Sequence, residues 1–146
     1  MSNQLTSSAA KRRASAQRFS ERSRNKEVVR RRWENELHNK CEGCGMGCDT
    51  VEIHHLFSSA GHVIADSLAS RPELMVALCS AKTWGYRNGC HENLHQGLAE
   101  DMKDELRWVA LTRLCQAEKI PISVLRGRDP GGAARACEEW MAEREC

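Results

Sequence analysis

At 146 residues, with 40% apolar but only 5% aromatic side chains, the chain has room for one domain with a modest core. It contains no run of about 18 apolar residues, which excludes a membrane-spanning helix, and its opening MSNQLTSSAAKRRASAQRF lacks the apolar segment of a signal peptide. The net charge of +2 hides an asymmetry: residues 1–40 carry eleven Lys/Arg against four Glu, while the remaining 106 carry eleven basic against sixteen acidic residues. A basic arm of this kind suits a polyanion.

A reducing, cytoplasmic setting is expected, and in it eight cysteines read as metal ligands and buried thiols rather than as a disulfide framework. Residues 1–25 are rich in Ser, Ala and Arg with almost no large apolar residue, the composition of a disordered arm. From Asn25 to Asn39 the spacing of Val28, Val29, Trp33 and Leu37 predicts a helix, with Arg30, Arg31 and Arg32 inside it. Lys11, Arg12 and Arg13 of the arm and Arg30, Arg31 and Arg32 of the helix are the candidates for phosphate contacts.

The glycine-rich CEGCGMGC that follows reads as a turn, and Cys41-x-x-Cys44 is a knuckle able to aim two thiolates at one tetrahedral ion. VEIHHLF then predicts a strand, which puts His54 and His55 on opposite sides. Residues 58–72 read as a loop of small residues with one helical turn. ELMVALC (73–79) is a second apolar segment, and SAKTWGYRNG is a loop ending at Cys90. Cys79 and Cys90 complete a four-thiolate set for a structural zinc, with Cys48 a competitor for the first pair; Cys115 reads as core, and Cys137 and Cys146 as bystanders. In the loop, Trp84 and Tyr86 with Lys82 and Arg87 read as a nucleic-acid contact or a lid on the zinc site.

From His91 to about Lys119 the chain is expected to be mostly helical, with Leu98, Met102, Leu106, Val109, Leu114 and Ala117 marking one apolar face, the helix from Leu98 onward serving domain packing or a dimer contact. A connector with breakers, IPISVLRGRDPGG, leads to a short final helix, AARACEEWMAER. At helical spacing His91 and His95 share one face and can share an ion. Either His54 or His55 can join them while its neighbour acts as a base, the pattern of an open, catalytic metal site. HENLH also matches the H-E-x-x-H of metalloproteases, with Glu92 as base, but the longer signature fails because Leu98 stands where Gly belongs and Asp101 where His belongs. Outside that role Glu92 reads as an exposed residue near a helix start. His38 and His62 carry no assignment.

Taken in order, Cys41-x2-Cys44, Ile53-His54-His55-Leu56, Ala77-Leu78-Cys79 and Cys90-His91-x3-His95 resemble the HNH endonucleases, a family of compact nucleases common in phages and mobile elements. The resemblance covers about residues 38–97. It implies an α+β protein with a small ββα-metal core stapled by zinc, a basic N-terminal arm over 1–25, a nuclease domain with flanking helices over 26–119 and a C-terminal helical tail over 120–146. It further implies a catalytic divalent ion (Mg, Mn, Ni or Zn) on His54, His91 and His95, with His55 as general base. Cys41, Cys44, Cys79 and Cys90 would hold the structural zinc, and double-stranded DNA would be the substrate. The alternative is a non-catalytic, zinc-stabilised nucleic-acid-binding module. The chain departs from the family pattern at the middle asparagine, where Glu73 stands and Asn88 and Asn93 are the spatial candidates, and in the longer linker between Cys79 and Cys90.

Overall fold

In a computed structural model, which describes residues 2–57, 64–85 and 87–145 (side chains of 2–8, 14–19, 22 and 66 excepted), helices surround one small antiparallel sheet. The order is α1 (Ser2–Asn35), β1 (Glu52–His55), α2 (Asp66–Ala69), β2 (Met75–Leu78), α3 (Ala81–Trp84), α4 (Cys90–His95), α5 (Glu100–Glu118) and α6 (Pro130–Glu145), with short 3-10 turns before β2 and after α5. Residues 58–63, with His62, and residues Tyr86 and Cys146 lie outside the described part, and so do the expectations attached to them.

The helix expected from Asn25 runs back through the expected disordered arm to Ser2. The first 40 residues contain neither Gly nor Pro, and Ala, Arg, Glu, Lys and Gln are strong helix formers, so no residue there interrupts the helix once its C-terminal half is packed. That packing involves Val29 and Trp33, which bury against Met75 and Ala77 of β2. Asn25 donates to Ser70 O at 2.8 Å, while the described side chains of Ala10–Arg13, Ser20, Glu21, Ser23 and Arg24 are exposed. His38 and Asn39, both at positive φ, end the helical path and turn the chain into the knuckle.

The two strands pair with Glu52 opposite Leu78 and His55 opposite Met75. β2 is buried at all four positions, whereas β1 alternates toward solvent, with His54 buried and His55 exposed. Strand alternation therefore sends His54 to the core side of the sheet and His55 to the other.

The mostly helical stretch expected from His91 to Lys119 is two helices, α4 and α5, separated at Gly97, whose φ is 71°. Because α5 starts afresh after that turn, its buried face matches the expected one only in part, sharing Leu106, Leu114 and the partly buried Met102. Leu106, Ala110, Leu111, Leu114 and Cys115 are buried, while Leu98 and Val109 are 70% and 54% exposed and Ala117 faces solvent. The final helix begins at Pro130, earlier than the expected Ala133: proline is well tolerated in a first turn, and Asp129 Oδ1 accepts the Gly132 amide at 2.9 Å. Ala133, Ala134, Ala136 and Cys137 of α6 are buried, and the Cys137 thiol contacts that of Cys115, so Cys137 is a core residue rather than a bystander.

Candidate metal centres

The knuckle, the end of β2 and the start of α4 bring Cys41, Cys44, Cys79 and Cys90 together, with their sulfurs all within 4.8 Å of one another. A tetrahedral zinc with bonds of about 2.3 Å requires sulfurs about 3.8 Å apart, and Cys44 Sγ lies 3.8 Å from Cys79 Sγ. Backbone amides point at the sulfurs, as thiolates need: Gly43 and Cys79 donate to Cys41 Sγ at 3.3 Å each, and Cys90 donates to Cys79 Sγ at 3.4 Å. Burial pushes the Cys41 thiol up to about 11, and burial followed by the neighbouring Cys41 and Cys79 raises Cys90 further. Four ionised thiols therefore cannot coexist here without a cation, and the donor set fits a zinc. Cys48 is not among them; its thiol donates to Met46 O at 3.3 Å.

Two glycines make this closure possible. A Cβ on Gly43 would stand 2.7 Å from Met102 Sδ and 3.0 Å from Cys90 Sγ, and one on Gly89 would stand 2.5 Å from Cys79 O. Between the first two cysteines, Glu42 accepts the Ala77 amide at 2.7 Å and pairs with Arg113 at 3.1 Å and Arg32 at 3.7 Å, tying the knuckle to β2, α5 and α1. Arg32 also donates to Pro72 O and Met75 O, so its guanidinium is turned inward, unlike those of the exposed Arg30 and Arg31. Its place in the phosphate-contacting set is corrected on that ground: the helix rotation that buries Val29 and Trp33 carries Arg32 toward the sheet as well.

Beside this closed cluster lies an open one. His54, His91 and His95 present ring nitrogens within 4.8 Å of one another, and His91 Nε2 and His95 Nε2 are 3.2 Å apart. Zinc–nitrogen bonds of about 2.0–2.1 Å would set that edge at about 3.3 Å. His91 Nδ1 faces Glu52 Oε2 at 3.4 Å and Glu92 Oε2 at 3.6 Å, a carboxylate arrangement that holds the ring with Nε2 toward its partners. Burial first, then His95 and His91, lower His54 to about 4, keeping it neutral and its lone pair available near neutral pH.

The three rings open into a cleft of about 370 Å³ that His55 also lines, with Lys103 and Arg107 of α5 on its wall. Arg107 is oriented by a hydrogen bond to Leu56 O at 3.1 Å and lies over the Phe57 ring. Neither cation was legible as a site residue, because their approach depends on the turn at Gly97. Glu92 is not the exposed residue expected: it accepts the Ala81 amide at 2.6 Å and the Gly89 amide at 2.7 Å, the glutamate half of a capping box at the start of α4. Burial opposes its ionisation, but these amides win and hold its carboxyl below the usual range. Glu73, at the place of the family's asparagine, is bound by Arg71 at 2.9 and 3.0 Å, and Asn88 donates to Gln96 Oε1 at 3.4 Å. Trp84 lies under the Arg87 guanidinium at 4.6 Å.

No protein-family model, curated protein or solved structure matched this chain.

Proposed function

We propose that the chain is a metal-dependent DNA endonuclease of the HNH type, built on a ββα-metal core formed by β1, β2 and α4. The observation that carries this reading is the pairing of one closed thiol cluster with one open histidine cluster, the latter in a cleft that His55, Lys103 and Arg107 share. A structural module has no need of the second, solvent-facing set of nitrogens.

A divalent ion on His54, His91 and His95 would neutralise charge on the scissile phosphate and on the departing oxygen. Lys103 and Arg107 would draw the phosphate into the cleft and hold it there. His55 would take a proton from water as its oxygen attacks phosphorus in line. The bond from phosphorus to the 3′ oxygen breaks, that oxygen takes a proton from solvent, and the products are a 5′-phosphate and a 3′-hydroxyl. Lys11, Arg12, Arg13, Arg30 and Arg31 on the exposed face of α1 would contact the duplex backbone without reading sequence.

A non-catalytic, zinc-stabilised nucleic-acid-binding module is the second reading, favoured by Glu73, engaged with Arg71, at the family's asparagine position. A metalloprotease is disfavoured because the Glu92 carboxylate caps α4. The test is nicking of supercoiled plasmid with Mg, Mn, Ni or Zn supplied in turn. Wild type is expected to cut, and His55→Ala to cut about 10²- to 10⁴-fold more slowly with unchanged zinc content. Binding of the plasmid without cutting under every metal would replace the nuclease by the binding module.

A further inference from the structure

A second cleft, of about 320 Å³, opens between α1, β1 and α3, and the proposed reaction does not use it. Lys26 and Arg30, one helical turn apart, stand on its α1 wall, and Lys82 stands opposite. All three side chains reach solvent, and the one carboxylate among them, Glu52, lies 3.3 Å from Lys82. The cleft is therefore positive by two charges. Ser80 lines it too: the residue is only 1% exposed, and among the described residues its hydroxyl has no hydrogen-bond partner and caps no helix. A buried hydroxyl left unpaired is destabilising and calls for an explanation. An oxyanion arriving among the three cations would accept its hydrogen bond once the hydroxyl swings to another staggered χ1 rotamer.

The two clefts are neighbours. Ile53 lines both, and Glu52 reaches from Lys82 on one side to His91 on the other. A nucleic-acid strand carries one phosphate for every ~3.4 Å of helix axis, so a strand with one phosphate at the histidines can offer another here. We propose that this cleft is a binding site for a single backbone phosphate of the nucleic acid, adjacent to the phosphate presented to His54, His91 and His95. This inference rests on the reading of the chain as a protein that acts on nucleic acid.

The test is fluorescence anisotropy of a labelled DNA duplex with the full-length, zinc-loaded protein, without a second divalent ion, across a range of salt. Ser80→Ala changes no charge and breaks no hydrogen bond within the chain. It should weaken binding by about 5- to 20-fold with the salt dependence intact, while the melting temperature of the free protein does not fall. Replacing Lys26, Arg30 and Lys82 together by Ala should lower the slope of log Kd against log salt by about one, the value for one phosphate shared by three cations. Unchanged affinity in Ser80→Ala, or a slope loss near three in the triple variant, overturns the site in favour of a merely charged surface. Because inorganic phosphate presents the same oxyanion, exchanging chloride for it at equal ionic strength should displace DNA from wild type more than from Ser80→Ala; equal displacement from both overturns the site in favour of general charge competition. Plasmid nicking run in parallel separates the two levels. A wild type that neither binds nor cuts DNA sinks both, whereas one that cuts while Ser80→Ala binds normally sinks only the phosphate site.

Discussion

The Glu42 carboxylate meets two guanidiniums and a backbone amide, and all three side chains are mostly withdrawn from solvent. Removing it would leave Arg32 and Arg113 as unpaired cations against the sheet. Glu42→Ala is therefore expected to lower stability by about 3 kcal/mol, measured by urea unfolding of the zinc-loaded protein, and Arg113→Ala in the same background should restore part of the loss. At this scale the members of the two clusters were legible, because they stand in tight local pairs in the sequence: Cys41 with Cys44, His91 with His95. Their partners were not. Glu42 looks like any knuckle residue, and Arg32 looks like its neighbours Arg30 and Arg31, until the rotation of α1 turns one of the three inward.

Among the elements, α4 depends most on a single backbone position. Gly89 has an ordinary extended conformation, φ −94° and ψ −176°, so conformational freedom is not why it is glycine; space is. Gly89→Ala would drive the chain before Cys90 away from Cys79. We expect it to lower stability by about 1–3 kcal/mol and zinc affinity by at least about 10-fold, read by competition with a chromogenic chelator. Wild-type zinc affinity in that variant would mean that the backbone relaxes around the methyl group. The first strand was visible in the sequence because VEIHHLF is short, β-branched and apolar, whereas ELMVALC was legible only as an apolar segment. The position of the break at Gly97 was not visible because periodicity runs through a single glycine, so the expected apolar face took in Leu98, which precedes α5, and Val109, which is exposed on it.

On the scale of the whole molecule, the first two-thirds of α1 contribute charge rather than packing: its described side chains before Asn25 are exposed but for the partly covered Ala9. Deleting residues 2–20 should leave the melting temperature within about 2 °C of the full chain, yet flatten the salt dependence of DNA binding, because Lys11, Arg12 and Arg13 go with them. A large drop in melting temperature would assign the segment a packing role. The charge asymmetry of the sequence anticipated this division of labour; the continuous helix was obscured by a composition that disorder and an unpacked helix share. A last consequence follows from Cys90 and His91 being consecutive residues that face different clusters. Any ion that fixes Cys90 also fixes the first turn of α4, so the entropy of ordering that turn is lost only once. With ions on both clusters, the two would be thermodynamically linked: filling either would tighten the other by the same factor, and stripping the thiols of their ion would slacken the histidines before any of them is touched.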